Sequence, residues 1–260
     1  MKKDKVFCFT VDDNIRVLKE LTSGTYESIF DHPYLGVYRR LHEKYGLKVQ
    51  LNLFYETEGF DLSQMTDRYR GEWEKNADWL KLSFHSRLEN TWPYKESGYK
   101  EVFEDCRNVH REILRFAGAA SLGKTTTVHF CAATNEGISA LKDNGVQGLL
   151  GLYGTEEKPR SSYQNTPSEA ALMRDGQIVR SDGVAYAEID IVLNCFPEKE
   201  ILRQLNARKD RGFVKVMIHE QYFYPDYVRY QPEFEQKLDA TFDFLTKNGF
   251  GSIFFENMLS

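Results

Sequence analysis

No stretch of this chain holds the ~18 consecutive apolar residues that a membrane helix needs, so none is expected. No secretory leader is written ahead of Lys5, where an extended run already begins, and the expectation is a cytoplasmic protein without membrane contact. There is no basic excess either: 34 Lys and Arg stand against 39 Asp and Glu, which leaves no surplus of cations for the phosphates of a nucleic acid. Cysteine is scarce. Cys8, Cys106, Cys131 and Cys195 are far apart and form no Cys-x-x-Cys pair, so neither a zinc finger nor a redox motif is present. Each sits in an apolar segment, where a reduced cysteine acts as a small hydrophobe. Internal repeats and low-complexity tracts are absent too.

What the chain does have is length and aromatic content. Its 260 residues suit a single α/β barrel, taken as one domain over 1–260, and 14% aromatic residues rule out disorder. A chain this long buries roughly 70–75% of its unfolded surface and needs no structural metal or disulfide. Short apolar runs at Lys5–Val11, Val49–Tyr55, Leu82–Phe84, Thr125–Cys131, Val146–Leu150, Ile189–Leu193 and Phe213–Ile218 read as strands, with an eighth at Ser252–Phe255. Helical periodicity predicts helices at Tyr34–Tyr45, Met65–Leu80, Tyr99–Phe116, Glu136–Asn144, Glu198–Ala207 and Phe234–Lys247. This alternation describes a distorted (β/α)7-8 barrel. The polar stretch 151–187, with Pro159, Pro167 and the turn pair Asp175-Gly176, reads as an inserted loop carrying a hairpin.

Gly118 to Thr125 matches the pattern of a phosphate-binding loop, G-x-x-x-x-G-K-[ST]. Such a loop must follow a strand and open a helix, so that helix amides face the anion. Here a long amphipathic helix comes before it and a β-branched run, Thr125 to Val128, comes after. The segment reads as a helix-to-strand turn.

In a β/α barrel the chemistry sits where the strands end. Asp12 and Asp13 follow the first strand, His85 and Glu89 the third, His129 lies near the end of the fourth, and His219 and Glu220 follow the seventh. Each residue alone has a plain structural explanation: an Asx turn, a hydrogen-bonded histidine, a solvated charge. Together they converge on one mouth. The spacing His85-x-x-x-Glu89 puts two ligand-type side chains on one face of a helical turn. With Asp13 they make a set of one histidine and two carboxylates that suits a divalent ion, zinc first, with manganese or magnesium as alternatives.

Phe9-Thr10-Val11-Asp12-Asp13-Asn14 resembles the first motif of the polysaccharide deacetylases (NodB homology, carbohydrate esterase family 4). His85-Ser86-Arg87-Leu88-Glu89 resembles their His-Ser/Thr-x-x-His motif with glutamate for the last histidine, and Val216-Met217-Ile218-His219 resembles their final apolar-x-His motif. The resemblance implies a barrel fold and a hydrolase removing an N- or O-acetyl group from a sugar or glycan. It implies Asp12 as general base, Asp13 and His85 as metal ligands, and His219 as general acid. Three further features depart from the family: Asn14 stands where it has glycine after the Asp pair, no Arg–Pro stretch stands on strand four, where His129 to Ala133 lies, and the Asp–Trp pattern is missing, with Glu188 and Asp190 nearest.

Aromatic residues crowd the expected mouth. Trp92, Tyr94 and Tyr222, with His129 and Glu220, are the expected substrate-binding residues, suited to a carbohydrate or another small acetylated molecule. Two other readings stay open. One is a different non-peptide C–N or glycoside hydrolase at the same mouth, using Asp12, Glu89 and Glu220; the other is a carbohydrate-binding barrel without turnover.

Overall fold

A computed structural model describes residues 5–89, 93–154 and 162–259. In chain order its elements are β1 (Lys5–Asn14), α1 (Arg16–Ser23), α2 (Pro33–Tyr45), β2 (Val49–Phe54), β3 (Glu56–Thr57), β4 (Phe60–Asp61), α3 (Arg70–Lys75) and β5 (Leu80–Ser86). Then come α4 (Pro93–Glu96), α5 (Tyr99–Phe116), β6 (Thr125–Thr126), α6 (Asn135–Asp143), β7 (Gly148–Gly151) and α7 (Pro167–Arg174). The chain continues through β8 (Val179–Ser181), β9 (Val184–Glu188), β10 (Ile191–Val192), α8 (Glu198–Arg208), β11 (Phe213–His219), α9 (Phe234–Lys247) and β12 (Phe250–Ser252).

Two sheets form the centre. One runs β10-β11-β1-β2-β5, all parallel, with β12 pairing the first residues of β1; the other runs β6-β7-β9-β8, parallel except for the β8–β9 hairpin. The sheets meet at two seams. At the first, the Gly123 amide donates to Leu82 O (2.8 Å) and the Ser83 hydroxyl donates to Thr125 O (2.8 Å). At the second, the amide of Ile189 donates to Gly151 O and that of Asp190 to Lys215 O, both 2.8 Å, so the chain leaving β9 enters the first sheet as β10.

β1 is buried on both faces because helices cover one side and the interior fills the other. Phe7 and Phe9 pack on Phe242 of α9, and Phe9 also on Tyr38 of α2. Strand alternation therefore turns Cys8, Thr10 and Asp12 inward. The same period turns Gln50, Asn52 and Phe54 of β2 inward, with Ser83 and His85 of β5 and Met217 and His219 of β11. The inner surface is a set of short polar stripes that end at the strand tips.

Several elements differ from the sequence expectation. The long helix Met65–Leu80 contracts to Arg70–Lys75, since Trp79 and Leu80 are drawn into the approach to β5. Three helices were not expected: α1 has only Val17, Leu18 and Leu21 on its buried face, α4 is a single turn, and α7 lies in the stretch read as a loop, opened by a Thr166–Glu169 capping box. The hairpin turns at Asp182-Gly183, whereas Asp175-Gly176 closes α7; the expected strand Ile189–Leu193 shortens to β10, and β9 before it is a separate strand of the second sheet. The fourth strand stops after Thr126, and the turn His129–Cys131 follows with Phe130 and Cys131 at φ 60° and 54°. The phosphate-loop match is a helix-to-strand turn: α5 precedes Gly118, β6 follows Lys124, and the Lys124 amide is taken by the Glu256 carboxylate (2.7 Å).

Candidate metal centre and active-site cleft

Asp12 and Asp13 are consecutive, so a regular strand would aim them at opposite faces. The β1–β2 register shifts between Val11 and Asn14, and Asp13 takes a left-handed φ of 66°, a conformation that aspartate tolerates better than most residues. Both carboxylates thereby line one cleft of about 500 Å³, together with His85, Glu89, His129 and His219.

The Asp13 Oδ1 atom lies 2.9 Å from His85 Nε2 and 3.3 Å from His129 Nδ1, and the two ring nitrogens are 3.1 Å apart. One oxygen and two nitrogens at such separations suit a single ion, because bonds of roughly 2.0–2.1 Å at tetrahedral angles put donors about 3.3 Å apart. Among the described residues these three form the group able to hold a metal. His85 Nδ1 faces the Thr127 carbonyl at 2.5 Å; a carbonyl only accepts, so Nδ1 carries a proton and Nε2 is the nitrogen left able to ligate an ion. Phe54 packs against both imidazoles, at 5.2 Å from His85 and 5.0 Å from His129, and fixes their ring planes.

Electrostatics follow from this packing. Burial alone would raise the Asp13 carboxyl, but hydrogen bonds with His129 and His85 outweigh it and hold the group well below the usual range. Burial raises Asp12, against the pull of the His85 and His219 charges and of the Asn52 amide, which donates to Asp12 Oδ1 at 2.7 Å. For His85 burial favours the neutral ring, yet Asp12 and Asp13 prevail and its pKa rises; for His129 burial prevails and its pKa falls.

Asp12 and His219 are directly opposed Cα partners on the neighbouring parallel strands β1 and β11. β12 pairs only Lys5 to Phe7 and does not come between them. His219 Nδ1 is 2.9 Å from Asn194 Oδ1, which orients the ring.

The other expected site residues divide. His129, expected to touch substrate, is the third member of the donor cluster. Glu89 is exposed at the rim, with its Oε1 3.2 Å from the Gln221 amide nitrogen, and is outside the cluster. Tyr222 lines the cleft beside Tyr227, ring to ring at 5.3 Å. Tyr94 does not reach the cleft. It is buried, its hydroxyl accepting from the Arg87 amide and donating to Asp105, because α4 turns it into the core. Glu220 is likewise buried and does not line the cleft: its carboxylate accepts from the amides of Ile15, Arg16 and Val17 at the start of α1. Trp92 lies outside the described residues. Asp190 is engaged by Lys215, Arg208 and Arg211 at the far end of the strands, so it does not supply the missing Asp–Trp feature.

Asn52, Phe54, Thr127 and Gln221 were not anticipated. Gln50 and Asn52 carried a usable signal, since two amides at alternate positions of the run VQLNLF mark a polar inward face on a buried strand.

No family model matches this chain, and no curated protein does. Solved structures do. A protein from Mycobacterium smegmatis described as a polysaccharide deacetylase superposes over 100% of this chain and 91% of its own, with TM-score 0.57 and 11% identity. A family 4 acetyl xylan esterase from Clostridium thermocellum, solved with a cobalt ion, covers 98% of this chain and 90% of its own, with TM-score 0.50 and 13% identity. A 4-alpha-glucanotransferase from Thermococcus litoralis gives TM-score 0.61 at 12% identity; 99% of this chain spans only 40% of that one. Identities this low speak to architecture alone: the chain has the fold found in family 4 carbohydrate esterases and polysaccharide deacetylases.

Proposed function

We propose that this chain is a metal-dependent hydrolase that removes an N- or O-linked acetyl group from a sugar or glycan, built on a distorted (β/α) barrel formed by its two sheets. The observation that carries the reading is the convergence of Asp13, His85 and His129 in the cleft that also holds Asp12 and His219. Asp13 Oδ1, His85 Nε2 and His129 Nδ1 would hold a divalent ion, with zinc the best fit to one oxygen and two nitrogens. Such an ion supplies Lewis-acid polarisation of the acyl carbonyl and makes water a stronger acid.

The chain's own groups do the rest. Asp12 accepts the proton of the attacking water; burial makes this carboxylate a better base than an exposed one, and Asn52 holds it in place. His219 donates a proton to the departing amine or alcohol, with Asn194 fixing its ring. Tyr222 and Tyr227 offer ring faces and hydroxyls at the rim to a sugar. Glycoside cleavage finds less support, because Glu220 is committed to three backbone amides.

The test is acetate release from N-acetylated chito-oligosaccharides and acetylated xylan with zinc-loaded protein. Asp12→Asn and His219→Ala should each lower kcat by about 10²–10⁴-fold at unchanged zinc content. Full activity in either variant would overturn the assignment of base and acid.

A further inference from the structure

Gln221 stands directly between two carboxylates. It follows β11 in a short 3-10 turn, and its Nε2 lies 2.7 Å from Asp13 Oδ2 and 3.2 Å from Glu89 Oε1. The orientation of this amide is fixed by chemistry: turned over, its carbonyl oxygen would face two anions. Its Oε1 is buried and has no hydrogen-bond partner among the described residues, so the side chain is held by its nitrogen alone. Gln221 also forms part of the wall between the 500 Å³ cleft and a neighbouring pocket of about 260 Å³, both lined by Asp13 and Glu89.

A carboxylate can bind an ion through one oxygen or both. Asp13 directs Oδ1 to His85 and His129, while Oδ2 is occupied by a donor that cannot give up its proton. Asp13 also sits at a left-handed φ, a sparsely populated conformation that persists where surrounding contacts such as this one hold it. The same Nε2 holds Glu89 beyond the cluster.

We infer that Gln221 is the positioning residue of the metal centre: it takes Asp13 Oδ2, restricts Asp13 to one-oxygen ligation, and holds Glu89 at the rim, off the ion. The inference rests on the proposed metal-dependent reading. Outer partners of this kind alter metal affinity by about 10–100-fold when removed.

The test titrates zinc chloride into metal-free wild type, Gln221→Met, Gln221→Ala and Glu89→Gln, by calorimetry with a competing chelator. Thermal unfolding of each metal-free protein serves as the control for folding. Gln221→Met keeps the length of the side chain and removes the amide, of which only the donor has partners. Both Gln221 variants should differ from wild type in zinc affinity by about 10–100-fold at unchanged metal-free Tm, weaker if Asp13 loses its orientation and tighter if Asp13 or Glu89 adds a bond, and Glu89→Gln should stay within about threefold of wild type. The visible spectrum of the cobalt-loaded protein should change in Gln221→Met as Asp13 gains a second bonding oxygen. Wild-type affinity in both Gln221 variants, with stoichiometric zinc in wild type, would overturn this inference and leave the metal site standing. No zinc binding by wild type would overturn both.

Discussion

At the scale of single residues, the site depends on polar side chains placed where a strand would ordinarily carry apolar ones. Asp12 is buried, and its hydrogen bond to Asn52 Nδ2 is what makes that burial tolerable; Asn52 in turn accepts from Gln50. Asn52→Leu should therefore cost about 2 kcal/mol in urea unfolding, and clearly less in an Asp12→Asn background, where no buried carboxylate needs a donor. Strictly additive losses in that double-mutant cycle would show that the two side chains do not cooperate. That Asp12, Asp13, His85 and His219 meet in one cleft could be read from the sequence because each stands at the end of an apolar run. The exchange of Glu89 for His129 could not. His85-x-x-x-Glu89 has ligand spacing only if the chain continues as a helix after β5, but Glu89 falls in a turn, while the left-handed residues Phe130 and Cys131 bring His129 back over the mouth.

At the scale of elements, helix α1 is tied to β11 by one side chain. The Glu220 carboxylate accepts from the amides of Ile15 and Arg16 through Oε2 (2.8 and 3.0 Å) and of Val17 through Oε1 (2.8 Å), satisfying donors that the start of a helix leaves unpaired. Burial pushes this carboxyl up to about 7 against the pull of those amides. Glu220→Ala should lower stability by about 3 kcal/mol or more, and Glu220→Gln by roughly half as much, measured by chemical denaturation. A loss below about 1 kcal/mol for the alanine variant would mean that α1 is anchored elsewhere. The helices Tyr99–Phe116 and Phe234–Lys247 were legible to the residue, since long amphipathic stretches carry a full 3.6-residue period. Helices α1 and α7, each of eight residues, are too short for that signal.

At the scale of the whole molecule, the polar interior is balanced by groups that the fold keeps uncharged. His110 of α5 is buried beside Cys106, and burial lowers its pKa to about 4. An unfolded chain would take up that proton near 6.5, so the depressed folded value adds stability above pH 6.5 that is lost as pH falls toward 4. The contribution is on the order of 3 kcal/mol. His110→Gln should flatten the fall in unfolding free energy between pH 6.5 and 4; an unchanged slope would show that other groups cause it. Among the described residues no helix is long and apolar enough to cross a membrane.

The identity of the third ligand is the point on which the account stands or falls. The most direct measurement is the zinc content, by elemental analysis, of wild type, His129→Ala and Glu89→Ala after loading and gel filtration. Expected is one zinc per chain in wild type and in Glu89→Ala, and a loss of most of it in His129→Ala. Retention in His129→Ala with loss in Glu89→Ala would contradict the Asp13–His85–His129 centre.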